Sequence, residues 1–241
     1  MWRCSTVAGG LSAMPDKVLI LGGTGEGAAL ARRLARDCPE AQVITSFAGR
    51  VRGLPDLPGR IRVGGFGGVE GLIDFLRAEG ITRVVDATHP FAVTISAHAR
   101  AACRALGLPL QRLERPMWQK RPGDRWHWAD DTAMAARIVP RLGRRVLLTV
   151  GAGEIAAFAK AGGPIYVVRL IDAPIKRLPL RRSLVLLGRG PFTLADEIAL
   201  MRHFRIDLIV CKASGGAATE AKIAAARRLG VPVLMIRRPG A

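Results

Sequence analysis

Asp86-Ala87-Thr88-His89-Pro90-Phe91 gathers a carboxylate, a hydroxyl and an imidazole beside a proline that fixes the backbone. His89 carries a ring that gives or takes a proton near neutral pH, with Asp86 and Thr88 completing a candidate catalytic set. A plainer reading stands beside it, in which Asp86 caps the next helix and His89 only bonds a backbone carbonyl. The second stretch with chemistry in it is Gly22-Gly23-Thr24-Gly25-Glu26-Gly27-Ala28, directly after the apolar run Val18-Leu19-Ile20-Leu21. Gly23-x-Gly25-x-x-Ala28 fits the small-residue fingerprint of a dinucleotide-binding turn. Such a turn needs glycine to bend tightly, to let the backbone approach a pyrophosphate, and to let helix and strand pack closely. The helix that follows aims amide N–H groups and a positive dipole end at an anion. A glycine-rich turn in some other α/β protein is the alternative.

The end of the second predicted strand separates the possible cofactors. An NAD-preferring site places an acid about 20 residues beyond the glycines to hold the ribose 2′-OH. Here Thr45 and Ser46 stand at that place, with Arg50 and Arg52 shortly after. Hydroxyls with a guanidinium suit a 2′-phosphate and favour NADP, unless Arg50 is one more surface arginine. Lys212-Ala213-Ser214-Gly215-Gly216 lies between a strand and a helix and offers lysine, hydroxyl and glycine N–H groups to an anion. It lacks the order of a nucleotide-triphosphate loop, and a plain connection is its other reading. In Gly188-Arg189-Gly190-Pro191-Phe192, Arg189 is a candidate partner for a substrate carboxylate. His98, His127 and His203 have no companion at metal-ligand spacing, so no metal site is expected. No Gly-x-Ser-x-Gly elbow of a hydrolase occurs.

These loops need strands and helices to hold them. Strands are predicted near 18–21, 42–46, 60–63, 83–86 and 108–113, with helices at 28–37, 69–78 and 93–106. The alternation implies right-handed crossovers and a parallel sheet covered on both faces. From Glu114 to Arg125 the pattern lapses into Pro116, Trp118, Pro122 and Gly123, and the domain junction is placed there. A second α/β unit resumes with a helix near 131–142. Strands follow near 145–150, 165–170, 183–187, 207–211 and 233–236, and a helix is expected to start at Gly151-Ala152-Gly153-Glu154. The expected fold is α/β, with two Rossmann-like parallel-sheet domains at 17–115 and 126–241 and a cleft between them.

Composition sets outer bounds. The 241 residues are 49% hydrophobic and only 5% aromatic, so aliphatic side chains must fill most of the core. The formal charge of +18 is mostly arginine. It is spread along the chain without a basic tail, which speaks against nucleic acid and leaves room for steering an acidic small substrate. A compositional taste for arginine explains it equally well. Cys4, Cys38, Cys103 and Cys211 lack Cys-x-x-Cys pairing and read as thiols in a reducing, cytoplasmic setting rather than a zinc site or disulfide scaffold. No run reaches the roughly 18 apolar residues of a membrane span. Residues 1–16 read as a flexible extension without signal-peptide character, with Met14 a possible start.

Taken together, the loops are more specific than any one alone. Gly22-Gly23-Thr24-x-Glu26, Asp86-Ala87-Thr88-His89-Pro90-Phe91-Ala92, Gly190-Pro191-Phe192 and Lys212-x-Ser214-Gly215-Gly216, with Lys222 and the closing Arg238-Pro239, resemble the precorrin-6A reductase family of corrin biosynthesis. The likeness runs in order from Lys17 to Pro239, and Thr45-Ser46-x-x-Gly49-Arg50 resembles the family's second-strand segment. Ala213 departs from it, where Asp or Asn is more familiar. The resemblance implies NADPH-dependent reduction of a ring double bond, giving precorrin-6B, with a polycarboxylate tetrapyrrole as substrate. It implies a cofactor set of Gly22, Gly23, Thr24, Gly25, Glu26, Thr45, Ser46, Arg50 and Gly64, joined by Lys212, Ser214, Gly215 and Gly216. Phe91, Arg189 and Lys222 would meet the substrate. Neither nucleic acid nor membrane is an expected partner, and the oligomeric state is left open. Two alternatives stand: another NADP-dependent reductase or epimerase, and a basic anion-binding protein without catalysis. The first is weakened because Tyr166, the single tyrosine, has Leu170 rather than lysine four positions on.

Overall fold

The strand β1 (Lys17–Leu21) shows why the first part of the chain folds as it does. Val18 and Ile20 pack into one cluster and Leu19 and Leu21 into another, and all are buried. Side chains alternate across a strand, so a strand apolar on both faces has to lie between two layers of helix. The computed structural model describes residues 15–49 and 54–239. It divides into two units, 1–114 and 115–241.

In the first unit α1 (Gly25–Asp37) sets Leu30, Ala31 and Leu34 against the Val18 and Ile20 face. After β2 (Gln42–Phe47) and β3 (Arg60–Val63), α2 (Gly68–Ala78) covers the Leu19 and Leu21 face with Leu72 and Leu76. β4 (Arg83–Asp86), α3 (Val93–Leu106) and β5 (Leu110–Arg112) complete the unit, and Ala99 and Cys103 of α3 join the same face. The sheet runs β3-β2-β1-β4-β5, all parallel. Strand order reverses between β1 and β4, and it is outside the carboxyl ends at such a reversal that open α/β sheets bind ligands.

The second unit opens with β6 (Trp126–Ala129) and α4 (Thr132–Leu142), then β7 (Arg145–Thr149), β8 (Ile165–Leu170) and β9 (Ser183–Leu187). α5 (Leu194–His203), β10 (Leu208–Lys212), α6 (Ala221–Leu229) and β11 (Val233–Ile236) follow. Its parallel sheet runs β6-β11-β10-β7-β8-β9. From β7 onward this is the topology of the first unit again, with two strands added to one side and the next two to the other. Its reversal falls between β7 and β10.

Three differences from the sequence-based expectations have physical reasons. Trp126-His127-Trp128-Ala129 is a strand, with Trp126 and Trp128 packed on the core that α5 and α6 share. The segment after Gly151 is a 3₁₀ run, Ala152–Lys160, that buries only Ile155 and Phe158. The stretch 115–125 packs within the second unit, where Trp118 is buried and its Nε1 donates to Gly216 O at 3.0 Å. Cys103 and Cys211 are buried free thiols, whereas Cys38 is disulfide-bonded, against the expectation of thiols throughout. Of the expected extension at 1–16, residues 1–14 lie outside the described residues, and Asp16 is already tied to the sheet, its O accepting from Gln42 N at 2.9 Å. Among the described residues no helix is long and apolar enough to cross a membrane.

Candidate functional site

At the carboxyl end of β1 the glycine run turns against β2. Gly22 N donates to Ser46 O at 2.8 Å. A Cβ at Gly22 would stand 3.0 Å from Thr45 Cγ2 and 3.3 Å from Ser46 O, and one at Gly27 would stand 3.1 Å from Ala87 Cβ. These two glycines answer close packing. Gly23 and Gly25 answer a different demand, because nothing lies within 4 Å of where a Cβ would be, and Gly23 holds φ +100°. Bare backbone over open space at the amino end of α1 is what a pyrophosphate needs. Thr24 caps α1, accepting from Gly27 N at 3.2 Å, and donates to Ala87 O at 2.7 Å. Its hydroxyl is therefore committed to the protein. Glu26 sits half-buried in the first turn.

Thr45 and Ser46 are both buried, at 1% and 5% exposure. Thr45 lies beneath Gly22, and its Oγ1 finds no hydrogen-bond partner among the described residues. That places it as floor to the glycine loop rather than at the ligand surface. Ser46 Oγ is 3.5 Å from Nη1 of Arg62, a residue of β3 that no sequence motif singles out. Gly64, at φ +123°, donates to Phe47 O at 3.0 Å and accepts from Arg62 Nη1 at 2.6 Å. Arg50 lies outside the described residues.

Across the reversal, Asp86 ends β4 buried, and its Oδ1 accepts from Thr88 N at 3.1 Å and Thr88 Oγ1 at 2.6 Å. Asp86 and Thr88 hold each other in a turn that sets the following loop. His89 Nδ1 accepts from Phe91 N at 3.3 Å, and the two half-buried rings are 5.6 Å apart. The glycine loop, Ser46 and the His89 turn thus share one edge of one sheet.

The remaining predicted residues belong to the second unit. Lys212 Nζ pairs with Glu154 Oε2 at 2.5 Å, and Glu154 also accepts from Gly151 N at 3.2 Å and Thr132 Oγ1 at 3.3 Å. These groups frame the reversal between β7 and β10. Ser214 is buried, and Gly216 N donates to Pro116 O at 3.3 Å. A Cβ on Gly215, at φ +65°, would collide with Pro116 O. So this glycine pair is shaped by packing on residues 116–118, and the Gly216 amide points into the protein rather than at an anion. Arg189 is exposed after β9, ahead of the cis Gly190–Pro191 bond.

Lys222 departs most from expectation. It is 7% exposed in the core, donates to Thr219 O at 3.0 Å, and stands 5.0 Å over the Trp118 ring. Burial pushes its ammonium below the usual lysine range. A carboxylate grip at a surface needs the ammonium outside, and here it is inside because α6 turns that face to the sheet. Nearby, Arg169 and Glu197 form a buried bidentate pair at 2.7 Å. Among the described residues no cluster could hold a metal ion.

Comparison with known proteins gives a consistent picture. A family described as "Precorrin-6x reductase CbiJ/CobK" matches residues 17–241. The chain is 52% identical over 224 residues to the "Precorrin-6A reductase" of Rhodococcus erythropolis, covering 92% of this chain and 89% of that protein. It is 48% identical over 224 residues to the "Precorrin-6A reductase" of Mycobacterium tuberculosis, with the same coverage. A solved structure, "CobK precorrin-6A reductase", matches with a TM-score of 0.88 at 42% identity, covering 94% of this chain and 89% of that one.

Proposed function

The chain belongs to the precorrin-6x reductase family, and from that premise we propose that it uses NADPH to reduce a ring double bond of precorrin-6A, giving precorrin-6B, in the cytoplasmic synthesis of the corrin ring. The observation that carries this reading is likeness along nearly the whole chain, at 52% identity, to a protein named for that reaction. Both relatives compared are named for precorrin-6A, without a cobalt prefix, so the reading takes the metal-free macrocycle as substrate.

The residues at the β1–β4 reversal fit a dinucleotide. Gly23 and Gly25 leave backbone open at the amino end of α1, while Gly22 and Gly27 draw the loop close to β2 and β4. Gly22, Gly23, Gly25 and the first turn of α1 would hold the pyrophosphate, with Ser46 toward the adenosine. When bound, the nicotinamide supplies the hydride. The protein's own part is position, charge and a proton. With Nδ1 of His89 accepting from Phe91 N, the resting neutral ring carries its proton on Nε2. To protonate the carbon beside the hydride acceptor from Nε2, Nδ1 would first take a proton from solvent in place of the Phe91 contact, so that the ring gives up its Nε2 proton as an imidazolium and is left neutral. Asp86 and Thr88 fix the turn that presents that ring. The net charge of +18 draws in a substrate rimmed with carboxylates.

The test is to follow NADPH absorbance with precorrin-6A, with cobalt-precorrin-6A and simple ketones as controls, and to look for a product heavier by two hydrogens. Turnover with precorrin-6A alone supports the proposal. Absence of NADPH binding at micromolar protein overturns it.

A further inference from the structure

We infer that Arg62 is the residue by which this chain distinguishes NADPH from NADH, its guanidinium receiving the 2′-phosphate. The inference rests on the reading that the first unit holds a nicotinamide dinucleotide, and it goes beyond that reading by naming the discriminating group.

Position comes first. Gly22 N bonds Ser46 O, and in the β2–β3 register Ser46 lies opposite Arg62. The glycine loop, Ser46 and Arg62 therefore form a continuous line along the carboxyl edge of β1, β2 and β3. A dinucleotide on this fold lays its adenosine ribose beyond the end of the second strand, which brings the 2′ position toward Arg62.

The guanidinium is also held in place beforehand. Nη1 donates to Gly64 O at 2.6 Å and Nη2 to Gly65 O at 2.8 Å, while Nη1 lies 3.5 Å from Ser46 Oγ. Its Cζ stands 3.9 Å over the Phe66 ring and 5.1 Å from that of Phe75, and those two rings meet edge-on at 5.2 Å. Gly64 at φ +123°, a conformation other residues rarely adopt, begins the glycine-rich turn that brings both carbonyls back to the arginine. Freezing a long side chain this way removes the entropy that binding would otherwise cost.

Charge completes the case. The neighbouring bases are paired, Arg60 and Lys17 both with Glu79. Among the described residues no carboxylate faces Arg62; its partners are carbonyls, a hydroxyl and aromatic faces. A half-buried cation built into place without a counter-charge is incomplete until an anion arrives. Nη1 and Nη2 each give an N–H to a carbonyl, and the guanidinium's remaining side-on fork, Nε–H with a second Nη2–H, is the pair that would match two phosphate oxygens.

Calorimetric titration of NADPH and NADH into the wild type, Arg62→Ala and Arg62→Lys tests this, with thermal unfolding as the check on folding. Removing a charge-assisted bidentate contact should weaken NADPH by about 10- to 100-fold in Arg62→Ala, leaving NADH within about threefold. Arg62→Lys keeps the charge without the fork, so it should recover part of the preference and remain folded. Equal losses for both nucleotides, or an unchanged NADPH preference in both variants, overturn the assignment while leaving the proposed reaction standing. A wild type that binds neither nucleotide removes the reaction and this inference together.

Discussion

Thr24 Oγ1 donates to Ala87 O at 2.7 Å across a sequence separation of 63, while the same oxygen accepts from Gly27 N. One hydroxyl thus caps α1 and ties the glycine loop to the end of β4, the two sides of the strand reversal. Thr24→Val keeps the shape and loses both bonds. It should lower stability by about 1–3 kcal/mol, roughly a helix cap plus a part-buried hydrogen bond. Thr24→Ser should recover most of that. Urea unfolding of the three proteins reads this directly, and a valine variant as stable as the wild type would dissolve the staple.

Gly22 and Thr45 make a second coupled pair. A methyl on Gly22 meets Thr45 Cγ2 at 3.0 Å, with Ser46 O and Phe47 behind it. Gly22→Ala should cost about 1–3 kcal/mol by overpacking. Thr45→Ser removes the atom in the way, so the double variant should be more stable than the sum of the singles, by about 0.5–3 kcal/mol. Strict additivity would mean the loop moves aside rather than pressing on β2. The NADPH dissociation constant, measured alongside, should follow the same order, since a displaced loop misplaces the open backbone at Gly23 and Gly25.

What was legible in the sequence was whatever repeats at short range. Val18–Leu21 declared a buried strand because a short run apolar on both faces is stable only between two covering layers, and the glycines beside it declared a turn. The uses of individual side chains were not legible, because their partners lie far off in sequence. Nothing local says that Thr24 reaches Ala87, or that Arg62, one arginine among many, is clamped by Gly64, Gly65 and Phe66. Two signals were there to be read. Trp126 and Trp128 alternate with polar neighbours as a strand does, and Lys222 falls on the helical face of Ile223, Ala225 and Ala226 that α6 buries. Lys212-Ala213-Ser214-Gly215-Gly216 misleads for the opposite reason. Its glycines look like an anion cradle, yet Gly215 is fixed by the approach of Pro116.

His89 distinguishes proton transfer from turn-holding through two substitutions. If Nε2 delivers the proton, His89→Ala and His89→Gln should both lose turnover by about 10²–10⁴-fold, since neither side chain can pass on a proton as an imidazole does. NADPH affinity should change by less than about threefold. If the ring only bonds its surroundings, glutamine, whose amide nitrogen sits near the Nε2 position, should restore turnover. Single-turnover kinetics with the dissociation constant measured separately will show which holds.

Lys222 gives a prediction that stability measurements and kinetics must answer in opposite ways. Burial lowers its folded-state pKa below the unfolded value of about 10.4. Between those values the unfolded chain binds more protons than the folded one, so this residue makes stability rise with pH through that window. Below the folded pKa, the cost of burying the cation is present in full. Lys222→Met fills similar space without charge, beside Trp118, Cys211 and Ile223. It should flatten the rise in stability that ends near the unfolded value of about 10.4, and at pH 7 leave the protein within about 2 kcal/mol of wild type, on the stabler side. A core lysine predicts KM for the macrocycle within about twofold, because nothing at the surface has changed. A variant that keeps the wild-type pH dependence of stability while KM rises about tenfold, a loss of roughly 1.4 kcal/mol in binding, would instead put the ammonium on the substrate.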